Sequence, residues 1–124
     1  MSDLRILLIE DSVADAVLTQ RALEVGGGLK LCVAGSLGEG IDRLAQGFDA
    51  ILLDLTLPDS VGPETVTRMR VAARELPIVV LSGVEDAETA ERCLRAGAVA
   101  YRPKGRIDAV ELRRIVEGAI ASAR

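Results

Sequence analysis

Residues 50–57 read Ala-Ile-Leu-Leu-Asp-Leu-Thr-Leu, an apolar run with a single ionisable side chain, Asp54. Such runs are typical of parallel strands that are buried on both faces of a sheet. A carboxylate in a buried strand costs several kcal/mol unless it is paired or bound to a metal, so its presence requires an explanation. The ordinary explanation is a cap for the following helix, but Ser60 or Gly62 fills that role better. Asp54 is therefore the first candidate functional residue.

Similar apolar runs recur along the chain and alternate with helical patterns. The predicted strands are residues 4–9, 29–34, 50–55, 77–81 and 98–102. Helix starts are indicated at Ser12 with Asp15, Ser36 with Glu39, Gly62 with Pro63, Asp86, and Asp108. Strands that alternate with helices form a parallel sheet covered on both faces. The sequence therefore predicts an α/β fold, a flavodoxin-like (βα)5 doubly wound parallel sheet with strand order 2-1-3-4-5.

The composition fits one packed domain. Of the 124 residues, 49% are hydrophobic and 27% are charged, and the mean hydropathy is +0.30. These values exclude disordered, collagen-like and low-complexity chains. We expect a single domain over residues 1–124, which could have been cut from a longer protein. The apolar runs are too short to span a bilayer, and the start shows no signal-peptide pattern. A cytoplasmic protein with no membrane partner is therefore expected.

The net charge and the numbers of histidine and cysteine residues exclude several functions. The formal net charge is −4 and the basic residues form no stripe, so direct nucleic-acid binding is not expected. The chain has no histidine, which excludes a Ser/His/Asp triad, a His-ligated zinc site and an autophosphorylating histidine kinase within it. Cys32 and Cys93 have no metal-binding or redox spacing, and we expect both to be reduced and buried.

The residues expected to carry chemistry follow the predicted strands, because open α/β sheets bind ligands outside their carboxyl ends. These residues are Glu10, Asp11, Asp54, Ser82 and Lys104. Three carboxylates in a partly dry cleft repel one another, and a divalent cation relieves that repulsion. Oxygen ligands without histidine or thiolate select Mg²⁺, or Mn²⁺ in its place. Lys104 and Ser82 would suit a tetrahedral anion bound through the metal.

Four groups of residues form a specific set. They are Ile9-Glu10-Asp11, residues 53–58 followed by Gly62, residues 80–83, and Ala96-Gly97-Ala98 with Tyr101 and Lys104. Over essentially the whole chain, this set resembles the receiver (CheY-like) domain of two-component response regulators. The resemblance implies a signalling domain that is not an enzyme in the ordinary sense, although it catalyses its own phosphorylation and dephosphorylation at an aspartate.

The resemblance assigns a role to each site residue. Asp54 would accept a phosphoryl group from a phosphohistidine on a partner histidine kinase or histidine phosphotransfer protein. Glu10, Asp11 and Asp54, with the main-chain carbonyl of Thr56, would hold Mg²⁺.

The remaining roles concern the phosphorylated state. Lys104 and Ser82 would contact phosphoryl oxygens, and Ser82 and Tyr101 would act as the switch. The face formed by the fourth helix, fifth strand and fifth helix would then change, and it could meet an output domain or a second copy of the chain.

Two departures from the family pattern stand out. Gly105 follows Lys104 where receivers commonly have proline in a cis peptide, so we expect a trans bond and a differently shaped loop. Thr56 and Val84 occupy positions near the attacking water, where the family tunes hydrolysis of the aspartyl phosphate, and Val84 is apolar.

Three alternatives remain open from the sequence. A receiver could act through protein contact alone, without phosphorylation. A haloacid-dehalogenase-type phosphatase also uses a strand-end aspartate with Mg²⁺, but it needs a second aspartate where this chain has Thr56. A flavodoxin-like module for FMN or a nucleotide would have to use the glycine-rich residues 35–40, which lack the spacing of a phosphate-binding loop.

Overall fold

The computed structural model describes residues 3–83, 85–105 and 108–124. The strands are β1 Leu4–Ile9, β2 Leu29–Ala34, β3 Ala50–Leu53, β4 Thr56–Leu57, β5 Ser60–Val61, β6 Ile78–Ser82 and β7 Ala100–Pro103. The α-helices are α1 Val13–Glu24, α2 Leu37–Arg43, α3 Glu64–Ala72, α4 Ala87–Ala96 and α5 Ala109–Ala123. A turn of 3₁₀ helix, Leu44–Gln46, follows α2. No helix in these ranges has both the length and the apolar character to cross a membrane.

The main sheet confirms the predicted topology. Its strands are all parallel and lie in the order β2-β1-β3-β6-β7, which is the order 2-1-3-4-5 of the five predicted strands. The register pairs Ile9 of β1 with Ala34 of β2 and with Leu53 of β3. The residues that follow β1 and β3, Glu10 and Asp54, therefore leave the sheet side by side.

The core consists of two layers, one on each face of the sheet. Alternate residues of β1 point to opposite faces, because side chains alternate along a strand. Ile6 and Leu8 belong to the layer beneath α1 and α5. Leu7 and Ile9 belong to the layer beneath α2, α3 and α4. All four side chains are buried, as expected for a central strand of a doubly wound sheet.

The segment after Asp54 differs from the prediction. The third strand ends at Leu53 and not at residue 55, and β4 and β5 form a small antiparallel hairpin that the sequence did not predict. Ser60 is not a helix cap, since it lies in β5 and its hydroxyl bonds the Oγ1 of Thr65 at 2.7 Å. Pro63, and not Gly62, is the N-cap of α3. The last two main strands also begin and end one or two residues later than predicted.

The second predicted capping box is half formed. The Oγ of Ser36 accepts the N–H of Glu39 at 3.1 Å, as predicted. The Glu39 carboxylate accepts the N–H of Gly35 at 2.9 Å and does not return to Ser36. Both cysteines are free, with Cys93 buried and Cys32 only half-buried.

Candidate functional site

Three carboxylates meet at the carboxyl edge of the sheet. The N–H of Glu10 bonds the carbonyl of Ala34 at 2.9 Å, and the N–H of Asp54 bonds that of Ile9 at 3.0 Å, so the sheet ladder fixes both backbones. Glu10 is 4% exposed and Asp54 is 6% exposed, whereas Asp11 is exposed. One carboxylate oxygen from each of the three lies within 4.8 Å of the others. The structure therefore brings together the carboxylates that the sequence selected.

Lys104 brings a positive charge to this edge. Its backbone N–H donates to the carbonyl of Ser82 at 2.7 Å, which holds the residue beside the end of β6. Its ammonium donates to Glu10 Oε1, and it lies 3.3 Å from Asp54 Oδ2 and 3.3 Å from Asp15 Oδ2. One ammonium thus contacts three carboxylates.

Burial and neighbouring charges shift the pKa values of Glu10 and Lys104. Burial raises the pKa of the Glu10 carboxyl, and the neighbouring Asp54 acts in the same direction. The hydrogen bonds that Glu10 accepts from Lys104 and from the Ser12 N–H offset only part of the rise. Burial by itself would lower the pKa of Lys104, but the hydrogen bond to Glu10 and the charge of Asp54 outweigh it, so the pKa is raised. Lys104 is therefore charged at neutral pH.

The donor set fits Mg²⁺. Carboxylate oxygens are hard ligands, and Mg²⁺ takes one or two of them while it keeps several waters. Glu10, Asp11 and Asp54 supply such oxygens, and the exposure of Asp11 leaves the site open to solvent. Thr56 lies in β4, two residues after Asp54, and its main-chain carbonyl stays a predicted ligand.

Asp15 is a neighbour of the site that the sequence interpretation missed. It was assigned only to a capping box with Ser12, and the Ser12 Oγ does accept its N–H at 3.2 Å. The return bond is absent, however, because the Ser12 N–H donates to Glu10 at 3.2 Å and the Asp15 carboxylate turns to Lys104. An acid in the first turn of a helix that starts at this edge was the available signal.

The remaining predicted residues are placed as follows. Ser82 ends β6 and is 2% exposed, and Tyr101 is half-buried in β7 against the layer beneath α4. Every peptide bond between described residues is trans, which confirms the expectation for Lys104–Gly105, and Gly105 has a φ of +80°. Val84 lies outside the described residues. The roles of Ser82 and Tyr101 in switching stay predictions.

Comparisons with known proteins agree on one family. Residues 6–117 match the family described as the response regulator receiver domain. The swarming motility regulation protein RssB of Serratia marcescens is 35% identical over 77% of this chain and 43% of its own length. The cell cycle transcriptional regulator CtrA of Caulobacter vibrioides is 35% identical over 82% and 44%. The chain therefore spans less than half the length of these curated relatives.

Solved structures share the fold, and one of them contains a metal ion. A CheY-like receiver domain protein from Methanospirillum hungatei has a TM-score of 0.86 at 26% identity, covering 98% of this chain and 97% of its own. The receiver domain of the sensor histidine kinase PA1611 from Pseudomonas aeruginosa has a TM-score of 0.83 at 26% identity, covering 97% and 99%. That structure has a magnesium ion coordinated in its active-site cleft. Sequence, topology and the acidic edge thus lead to one conclusion: the chain belongs to the receiver domain family of two-component response regulators.

Proposed function

We propose that this domain is the phosphoacceptor of a two-component phosphorelay and that Asp54 receives the phosphoryl group. The observation that carries the proposal is the environment of Asp54. It is buried at the end of β3, grouped with Glu10 and Asp11, and 3.3 Å from the ammonium of Lys104. Receiver domains are signalling domains and are not enzymes in the ordinary sense.

The transfer needs one nucleophile and neutralised charge, and little other covalent chemistry. A carboxylate oxygen of Asp54 attacks the phosphorus of a phosphohistidine, the phosphorus–nitrogen bond breaks, and its electron pair stays on the imidazole. The donor imidazole lies outside this sequence, which has no histidine. Glu10, Asp11, Asp54 and the Thr56 carbonyl would hold Mg²⁺, which when bound supplies positive charge beside the phosphoryl oxygens.

Two other residues would respond to the phosphoryl group. The Lys104 ammonium would move from its carboxylate partners to a phosphoryl oxygen, and the Ser82 hydroxyl would contact another. Tyr101 would then turn inward and change the face formed by α4, β7 and α5.

The proposed partners follow from the same role. The donor is a histidine kinase or a histidine phosphotransfer protein in the cytoplasm. The α4–β7–α5 face would meet an output domain or a second copy of the chain. DNA contact, which the name of CtrA as a transcriptional regulator suggests for that relative, would belong to an output domain.

The test is intact mass after incubation with acetyl phosphate and Mg²⁺. We expect a gain of one phosphoryl group that requires the metal and is lost with hydroxylamine. Asp54→Asn should abolish the gain, whereas Asp42→Asn, which removes an exposed carboxylate of α2, should not. Titration with Mg²⁺ and beryllofluoride covers the case of fast hydrolysis. No gain and no beryllofluoride binding in the folded protein would contradict the proposal and favour a receiver that acts by contact alone.

A further inference from the structure

The hairpin of residues 56–61, here called the Asp54 hairpin, connects the phosphoacceptor to α3. It begins two residues after Asp54 and contains Thr56, whose carbonyl is a proposed metal ligand. Its base is fixed by the Gly62 N–H, which bonds the Leu55 carbonyl at 2.8 Å, and by Leu57, which is buried in the core. Its tip, residues 58–59, is exposed and needs a separate anchor.

Asp59 supplies that anchor. Its Oδ1 accepts the N–H of Leu37 at 2.9 Å, and its Oδ2 accepts the N–H of Gly38 at 2.9 Å. These two amides open α2, more than twenty residues earlier in the chain. Arg68 of α3 donates to the Asp59 carbonyl at 3.0 Å, so side chain and backbone are both held.

The bonding pattern keeps Asp59 ionised. The hydrogen bonds from Gly38 and Leu37 lower the pKa of its carboxyl. A carboxylate that accepts two backbone N–H groups has a fixed orientation as well as a fixed charge. Gly38 also lies close to it, since a Cβ added there would be 3.3 Å from Asp59 Oδ2. The tip of the hairpin is thus attached to α2 by a close, two-point contact.

We propose that Asp59 is a positioning residue for the metal site, because it fixes the tip of the Asp54 hairpin on α2 and thereby sets where the Thr56 carbonyl lies. This inference rests on the proposed function, in which that carbonyl binds Mg²⁺. Groups that orient metal ligands contribute about ten- to a hundredfold to metal affinity. Since Leu57 still anchors the base and Thr56 would be one ligand among several, loss of Asp59 should weaken Mg²⁺ binding by about three- to tenfold.

A role limited to stabilising α2 must be separated from positioning, and the chain offers matched controls. Ser36→Ala removes a different acceptor from the same end of α2, the Oγ that holds the Glu39 N–H, and leaves the hairpin contact intact. Asp42→Asn removes one negative charge from α2 without touching its first turn. Asp59→Ala removes both acceptor oxygens that hold the tip on α2. Asp59→Asn retains one acceptor oxygen and replaces the alanine variant in the experiment if that variant does not fold.

The experiment is a calorimetric titration with Mg²⁺ of the wild-type chain and these variants, with urea denaturation of each. We expect Asp59→Ala to weaken Mg²⁺ binding by about three- to tenfold and Asp59→Asn to fall between it and the wild type, while both controls stay within about twofold of the wild type. Amide chemical shifts of Leu55, Thr56 and Leu57 should change in Asp59→Ala and not in Ser36→Ala.

The contrary outcomes are distinct. Unchanged Mg²⁺ affinity in Asp59→Ala, or equal weakening in Ser36→Ala, would overturn the positioning role and leave the proposed function standing. A folded wild-type chain that does not bind Mg²⁺ would overturn the metal site itself and this inference with it.

Discussion

Replacing Lys104 with methionine should destabilise the domain by about 2–3 kcal/mol at neutral pH in the absence of divalent cations. Removal of one partner from a buried ion pair costs about 3–5 kcal/mol, because the remaining charge stays buried. The carboxylates left behind are those of Glu10 and Asp54, whose side chains are 3% and 7% exposed. The Lys104 side chain is itself 23% exposed, so water enters its place and the expected loss is lower than that range.

The loss should depend on pH with a definite sign. The pKa of Glu10 is raised in the folded state, so the folded protein holds the Glu10 proton more tightly than the unfolded chain does. The stability that this proton contributes is lost as the pH rises through the folded pKa. Without the hydrogen bond from Lys104, which lowers this pKa, Glu10 gains a proton at a higher pH. The difference between variant and wild type should therefore be largest at neutral pH and shrink as the pH falls and Glu10 gains its proton. Mg²⁺ should shrink it as well, because the ion replaces the missing charge.

Urea and thermal denaturation followed by circular dichroism measure these differences, and Lys30→Met is the matched control. Lys30 is the other lysine of the chain and is exposed on β2. We expect a fall in melting temperature of roughly 10 °C for Lys104→Met and almost none for Lys30→Met. A loss below about 0.5 kcal/mol, or one that neither acid nor Mg²⁺ reduces, would refute the assignment of Lys104 as the compensating charge.

Two further predictions concern the scaffold. Gly40→Ala would place a Cβ 2.5 Å from Cδ1 of the fully buried Ile9, so we expect a net loss of about 1 kcal/mol after the gain in helix propensity. A Cβ added at Gly118 in α5 meets no atom within 4 Å, so Gly118→Ala should stabilise the domain by about 0.5–1 kcal/mol. Equal urea midpoints for these two variants would contradict the close packing of Gly40 against Ile9. Arg70→Met removes bonds of 2.9–3.2 Å to three carbonyls after α3 and α4, including that of Gly97, and should cost about 2 kcal/mol. Wild-type stability in that variant, measured in the same assay, would show that water replaces the guanidinium.

The sheet was predictable because its signals are local and repeated. Each main strand is a short apolar run followed by a helix start, and the alternation leaves few topologies. Asp54 became a candidate for a similar reason, since a single charge in an apolar run has few explanations. The hairpin of residues 56–61 was not predictable, because its two-residue strands are too short to show periodicity and its antiparallel pairing depends on contacts made elsewhere.

The missed contacts share one physical cause. Asp15 lies in a sequence context that a capping box explains locally, and no pattern in the sequence assigns a role to Asp59. Their carboxylates instead reach Lys104 and the start of α2, at separations of 89 and about twenty residues. A local pattern identifies a side chain that can accept a hydrogen bond, but the tertiary fold decides which donor reaches it.

Lys104 and a bound divalent ion would compensate different carboxylates of the site. Lys104 contacts Glu10, Asp15 and Asp54, but the exposed Asp11 is not among the carboxylates that it contacts. Among the residues that the structure describes, one ammonium faces several carboxylates and leaves the edge negative, so an incoming phosphoryl group would be repelled. A divalent ion bound on the Asp11 side would cancel most of that negative charge without displacing Lys104 from Glu10. Under the proposed function the metal would therefore bind before the phosphoryl donor, and Lys104 would leave its carboxylates only once the phosphoryl oxygens offer it a stronger negative charge.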